Sequence, residues 1–138
     1  MAGKNNVEHA KADAIAQNVM LLIDTYYQTV YNIENMDDKK LGLKAFLNDD
    51  VENAAATIET LINMYSKGDY CIGNDLTYAD LFVYEMVTNY FPKDKNYNNL
   101  YDRFPKIFNI RTKVEKHEKI SNYLKTNPQY SKHIEMLF

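Results

Sequence analysis

Residues 76–90 read LTYADLFVYEMVTNY, and the opening of that stretch decides the fold class. Thr77 is followed three residues later by Asp80. At this spacing the threonine oxygen takes one backbone N–H while the carboxylate reaches back to the N–H of Thr77. Two of the donors that every helix start leaves open are then satisfied reciprocally. Glu or Gln is the usual partner; Asp is shorter and makes the same return bond. Leu76 and Leu81 stand at the two positions of a hydrophobic staple. Beyond the box, Ala79, Phe82, Val83, Met86, Val87 and Tyr90 recur every three or four residues, the period of a helix with a broad apolar face. Thr77 and Asp80 are therefore read as a structural capping box, contributing about 1 kcal/mol or somewhat more.

The same period runs outward in both directions. Toward the N-terminus, Ile15, Val19, Leu22, Tyr26 and Val30 form one row, and Ala16, Met20, Ile23, Tyr27 and Tyr31 run beside it. Two adjacent rows predict a helix buried on more than one side. Leu43, Leu47, Val51, Ala54, Ile58, Leu61 and Tyr65 make a second long helix, flanked by Phe46, Ala55 and Ile62. Shorter apolar groups occur at Ile107, Ile110 and Val114, at Ile120, Tyr123 and Leu124, and in the tail ending at Phe138. No window alternates as a strand does. The expected fold is an all-α bundle of five to six helices, two of them long, with residues 1–138 forming one domain. Glycine and proline mark the joints. Gly68 and Gly73 suit left-handed positions between the second and third helices, Pro92 ends a segment, Pro105 opens one, and Pro128 closes another.

Composition narrows the chemistry. Sixteen Lys and Arg against nineteen Asp and Glu give a net charge of −3, which argues against a nucleic-acid partner. The longest uninterrupted apolar run, residues 19–23, is five residues, whereas a membrane helix takes about twenty. The N-terminus lacks an apolar signal core, so a cytoplasmic location is expected. Cys71 is the only cysteine, which excludes an intrachain disulfide and any cysteine-only metal site. No glycine-rich phosphate loop can be assembled from Gly3, Gly42, Gly68 and Gly73. His9, His117 and His133 lack ligand-like spacing and suit helix ends or solvent. Asp37-Asp38 and Asn48-Asp49-Asp50 suit helix starts or the surface, without the alternating oxygen ligands of a calcium loop. Arg111, Lys113, Lys116, Lys119 and Lys125, interrupted by Glu115 and Glu118, read as a solvated face. Cys71 has no neighbouring base and reads as a buried thiol.

Four stretches resemble the all-helical C-terminal domain of cytosolic glutathione transferases, most closely the sigma-like, prostaglandin D synthase-like class. Residues 1–4 (MAGK) with residues 8–16 (EHAKADAIA) are similar to the lead-in and first helix of that domain. Residues 70–80 (YCIGNDLTYAD) resemble the loop and box before its core helix. Residues 104–107 (FPKI) resemble its next helix start, and residues 120–128 (ISNYLKTNP) its late helix and following proline. Order and spacing match over nearly the whole chain.

The resemblance implies a hydrophobic-substrate side. Ile23 and Tyr26 or Tyr27, on the first helix, fall where the class lines its electrophile pocket. Phe82, Met86 and Asn89 do so on the capped helix, and Phe138 closes the pocket from the tail. The competing reading is that these residues only fill the bundle core. Glutathione enters as the family's co-substrate, held mostly by an N-terminal thioredoxin-like domain whose tyrosine stabilises the thiolate. That domain and its tyrosine have no counterpart in these 138 residues, so no catalytic residue is assigned. No bound cofactor is expected for the chain alone, and faces that would pack on that domain are expected to be exposed apolar patches. The partners implied are a small apolar electrophile, a thioredoxin-like half, or a second copy in a homodimer.

One departure stands out. The class carries an acidic residue on its first helix that reaches glutathione in the neighbouring subunit, and the matching position here is Leu21. The acidic cluster that holds a divalent cation in the prostaglandin synthases is replaced by Gln17, Met20 and Leu21, which predicts no such metal site. A non-catalytic binding or assembly module with the same fold is therefore the alternative to a transferase domain.

Overall fold

The computed structural model describes residues 6–92, 94 and 96–117. Helix α1 runs over Asn6–Tyr26 and continues through a π-helical turn, Tyr27–Tyr31. Helix α2 covers Met36–Ala45, a second π-helical turn covers Phe46–Asp50, and α3 covers Val51–Tyr65. Helix α4 spans Tyr78–Asn89, α5 is the single turn Leu100–Arg103, and α6 spans Pro105–Lys116. The described residues contain no named strand, only an isolated bridge between Ser66 and Gly73. The all-α expectation holds.

Helix α4 lies between α1 and α6, and α3 packs against both α1 and α6. The core forms where these four helices meet, with Ile15, Val19 and Tyr26 of α1, Ile58 and Ile62 of α3, Val83 and Met86 of α4, and Ile107 and Val114 of α6. Only one of the two apolar rows on α1 is sealed. Ile15, Val19, Leu22, Tyr26 and Val30 are buried, whereas Met20 and Tyr31 of the second row are exposed and Ile23 and Tyr27 are half-buried. Helix α1 therefore buries one face, because α3 and α4 cover it from adjacent directions and leave the rest to solvent.

The second long helix differs from its predicted row on one side. A π-helical turn at Phe46–Asp50 leads into α3. The buried apolar face on α3 keeps Val51 and Ile58 and is completed by Ala55 and Ile62, while Ala54, Leu61 and Tyr65 are only half-buried. Gly42 sits where α2 crosses the π-helical end of α1; a Cβ there would collide with the Thr29 carbonyl oxygen. Close approach of the two backbones is what requires glycine.

Gly73 has a φ of +58°, as its place before the capped helix predicts. Gly68 is not in the left-handed region. Its constraint is spatial, since a Cβ would meet Asn74 Oδ1 at 2.6 Å. The joint before α5 uses asparagine instead, with Asn98 and Asn99 both left-handed, at φ values of 49° and 56°. Pro105 occupies the first turn of α6, as expected. Asp37 and Asp38 lie in the first turn of α2, where Asn35 Oδ1 accepts their N–H groups at 2.9 and 3.1 Å.

Candidate functional site

The box at the start of α4 is formed, and its weight rests on Asp80. One carboxylate oxygen accepts the Thr77 N–H at 2.8 Å, and the Thr77 hydroxyl donates to the same oxygen at 3.3 Å. The other oxygen accepts the Cys71 N–H at 2.7 Å. Asp80 is fully buried, so this last bond ties the preceding loop to the core helix, a role the local motif does not announce. Burial pushes its carboxyl above the ordinary value, against the N–H groups of Cys71 and Thr77 that pull it down. The Cys71 thiol is pushed well up by burial and then by the Asp80 charge, which makes it a poor nucleophile.

This anchored helix faces α1, and the two carry the residues expected at the apolar pocket. Tyr26 and Met86 are sealed in the core. Ile23, Tyr27, Phe82 and Asn89 are half-buried, with Asn89 Oδ1 itself enclosed. Phe138 lies outside the described residues. Tyr26 centres an aromatic group at the end of α1, meeting Tyr27, Phe46 and Tyr90 edge to face at centroid separations of 5.6, 5.4 and 5.2 Å. Its hydroxyl is pushed up to about 12, by burial first and then by Tyr27 and Tyr31. The phenol is therefore neutral at ordinary pH.

At the other end of the α1–α4 contact is a polar group that local spacing does not assemble. Tyr78 donates its hydroxyl to the Asp13 carboxylate, and His9 Nε2 lies 3.4 Å from the same carboxylate. The Tyr78 ring meets Phe82 edge to face at 6.4 Å, so the group borders the expected pocket. Desolvation, followed by the Asp13 hydrogen bond and charge, pushes Tyr78 up to about 12. The helical spacing of His9 and Asp13 is a visible signal in the sequence; their meeting with Tyr78 depends on how α1 and α4 pack.

Where the resemblance implies an acidic residue, Leu21 is 64% exposed. It borders an open groove of about 200 Å³ between α1 and α3, lined by Asn18, Thr25, Asp50 and Asn53 among others. Among the described residues, no three of His, Cys, Asp and Glu converge as metal ligands. No helix among them is long and apolar enough to cross a membrane.

Comparison with known proteins agrees with this architecture. A solved structure described as "rat hPGDS complexed with a quinoline" superposes with a TM-score of 0.73 at 20% identity, covering 93% of this chain and 60% of that one. S-crystallin SL11 of Nototodarus sloanii is 28% identical over 123 residues, covering 89% of this chain and 58% of that protein. Probable glutathione S-transferase 6 of Caenorhabditis elegans is 26% identical over 133 residues, covering 94% of this chain and 62% of that protein. The chain thus spans about three fifths of the length of the curated relatives it matches. The sigma-like class read from the sequence fits these matches. A sequence model described as "Glutathione S-transferase, C-terminal domain" matches residues 22–127, most of the chain, and on that match the protein belongs to the glutathione S-transferase family through its C-terminal domain.

Proposed function

We propose that this chain is the hydrophobic-substrate side of a glutathione transferase, and that it does not carry out conjugation alone. The observation that carries this reading is the surface where α1 meets α4. There Ile23, Tyr27, Phe82 and Asn89 remain half-buried while Tyr26 and Met86 behind them are fully enclosed. An apolar wall with a few polar atoms at its edge suits a small apolar electrophile. Glutathione is the co-substrate in this reading, brought by a thioredoxin-like half, and the site is cytoplasmic. The wall positions the electrophile, and the thiolate is supplied from the other side of the cleft.

Tyrosine fluorescence offers a direct test, because the chain has twelve tyrosines and no tryptophan. Titration with 1-chloro-2,4-dinitrobenzene is expected to quench part of the tyrosine emission saturably, less so in Tyr27→Phe, and Phe82→Ala is expected to weaken that binding. Met64→Ala, on the exposed side of α3, is expected to leave it unchanged. Linear, unsaturable quenching, equal in the parent and Phe82→Ala, rejects the pocket.

A second reading rests on Leu21. An exposed leucine beside a groove, at the position where the resemblance implies an acidic residue, favours a binding or assembly module without chemistry. In that case a homodimer through the α1 face is the expected partner state. Sedimentation of the parent and Leu21→Glu tests that surface: a parent dimer that dissociates on substitution supports assembly through this face, and an unchanged profile rejects it.

A further inference from the structure

Four tyrosines meet where α1 passes into its π-helical turn. The Tyr26 ring contacts those of Tyr27, Tyr31 and Tyr90 at centroid separations of 5.6, 6.5 and 5.2 Å, and Tyr27 meets Tyr31 at 4.9 Å. The backbone explains the gathering. In a regular helix, residues five apart point about 140° away from each other. Here the Asn32 N–H donates to the Tyr27 carbonyl at 2.9 Å, and this five-residue step widens the coil and turns Tyr31 back toward Tyr26. Gly42 of α2 closes over the Thr29 carbonyl, where a Cβ would collide, so α2 backs the widened turn. We propose that Tyr27 and Tyr31 form an oxidative cross-linking site, at which a one-electron oxidant of the haem-peroxidase class, working with hydrogen peroxide, joins the two rings within one chain.

Exposure decides which of the four react. Tyr31 is 51% exposed and gives up an electron to an oxidant that cannot enter the core. Tyr26 and Tyr90 are sealed, which leaves their ring carbons no room to turn toward a partner. Tyr27 is half-buried, with its ring beside that of Tyr31. The pair meets edge to face at 68°, so one ring has to rotate before the carbons face each other, and exposed Tyr31 has the room to do so. In the reaction each phenol loses one electron and its hydroxyl proton. The two radicals couple through the ring carbons beside the oxygens, and the hydrogens on those carbons move to the oxygens and restore both phenols. The two electrons and two protons pass to one hydrogen peroxide, which leaves as two waters. Fixed proximity favours this pairing over encounters between chains. The reaction uses neither glutathione nor an electrophile, so its test is separate from the transferase reading.

The sequence supplies an internal control. Tyr97 and Tyr101 are also four residues apart, but their rings make no contact with each other, and Tyr101 stacks on Phe108 instead. The experiment treats the 138-residue chain, in dilute solution, with a haem peroxidase and hydrogen peroxide, followed by trypsin and mass spectrometry. Residues 12–39 and 96–103 are released as single peptides, each holding one pair. In chains that remain monomeric, the 12–39 peptide is expected to be lighter by two hydrogens, with no backbone fragments between residues 27 and 31. Its yield is expected to exceed that of the same change in 96–103 at least about fivefold. Tyr27→Phe and Tyr31→Phe are each expected to abolish the link, and Tyr65→Phe, on α3, to leave it unchanged. Melting curves matching the parent show that the variants are folded. The proposal is overturned by absence of the link within residues 12–39, by equal linking of the two peptides, by a product that is linked only between chains, or by a link that survives in Tyr27→Phe.

Discussion

The starts of α4 and α6 solve one physical problem in two ways. Each helix start leaves N–H groups open, and at each a buried carboxylate takes some of them, one at α4 and two at α6. At α4 the acid is Asp80, three residues beyond Thr77 in the same helix. At α6 it is Glu59, which reaches across from α3 to accept the Lys106 N–H at 2.5 Å and the Ile107 N–H at 3.3 Å, 47 and 48 residues away. Phe104 precedes α6 and offers no side-chain cap of its own. The first cap forms within a few residues of chain; the second exists only once α3 and α6 have docked. A local cap needs only its own stretch of chain, whereas a borrowed cap makes the helix start conditional on the bundle.

Substitutions that separate the two caps sharpen this contrast. The largest loss is expected for Asp80→Ala, roughly 3 kcal/mol or more, because the buried N–H groups of Cys71 and Thr77 both lose their acceptor. Urea denaturation measures it directly, and a loss below that of Thr77→Ala would contradict the weight given to the acid. Gly42→Ala is expected next, at about 2–3 kcal/mol, since the added methyl meets the Thr29 carbonyl between two packed backbones. Glu59→Ala is expected to cost about 1–2 kcal/mol, with faster amide exchange concentrated in the first turn of α6 and little change at α4. Thr77→Ala is expected to cost about 1 kcal/mol, with faster exchange in the first turn of α4 and none at α6.

The smallest effect is on pH dependence. Burial pushes Glu59 above its ordinary value of 4.5, although the Lys106 and Ile107 N–H groups and the Lys106 charge oppose it. The folded state then binds the proton more tightly than the unfolded one. The stability linked to that proton is complete below 4.5 and is lost as pH rises through the folded value. Glu59→Gln removes this slope, so the deficit of the variant is expected to shrink as pH rises. Melting temperatures across the acidic range check the sign.

The same contrast explains which features are legible in the sequence. Thr77, Asp80, Leu76 and Leu81 announce the α4 start because the box is written in consecutive residues. The helical period of α1 is equally legible, but not which of its two rows is sealed, since that depends on where α3 and α4 lie. The π-helical turn at Phe46–Asp50 leaves no mark in the apolar rows that distinguishes it from a regular turn, and on α3 the rows do not show that Ala55 and Ile62 rather than Ala54 and Leu61 are sealed. At the candidate site, Ile23, Tyr27, Phe82 and Asn89 come from resemblance, and structure supplies their half-buried placement. Tyr78 does not declare its link to Asp13 and His9, because the partners lie on different helices. Glu59 is invisible for the same reason.

The two caps hold α4 and α6 in place, and α4 in turn presents its outer residues beside α1. The central claim is that this surface is an apolar-substrate wall without a glutathione site of its own. Calorimetric titration of glutathione into the 138-residue chain tests it most directly. The account predicts no saturable heat up to millimolar ligand; saturable binding would show that the chain builds a thiol site by itself and would contradict the assignment.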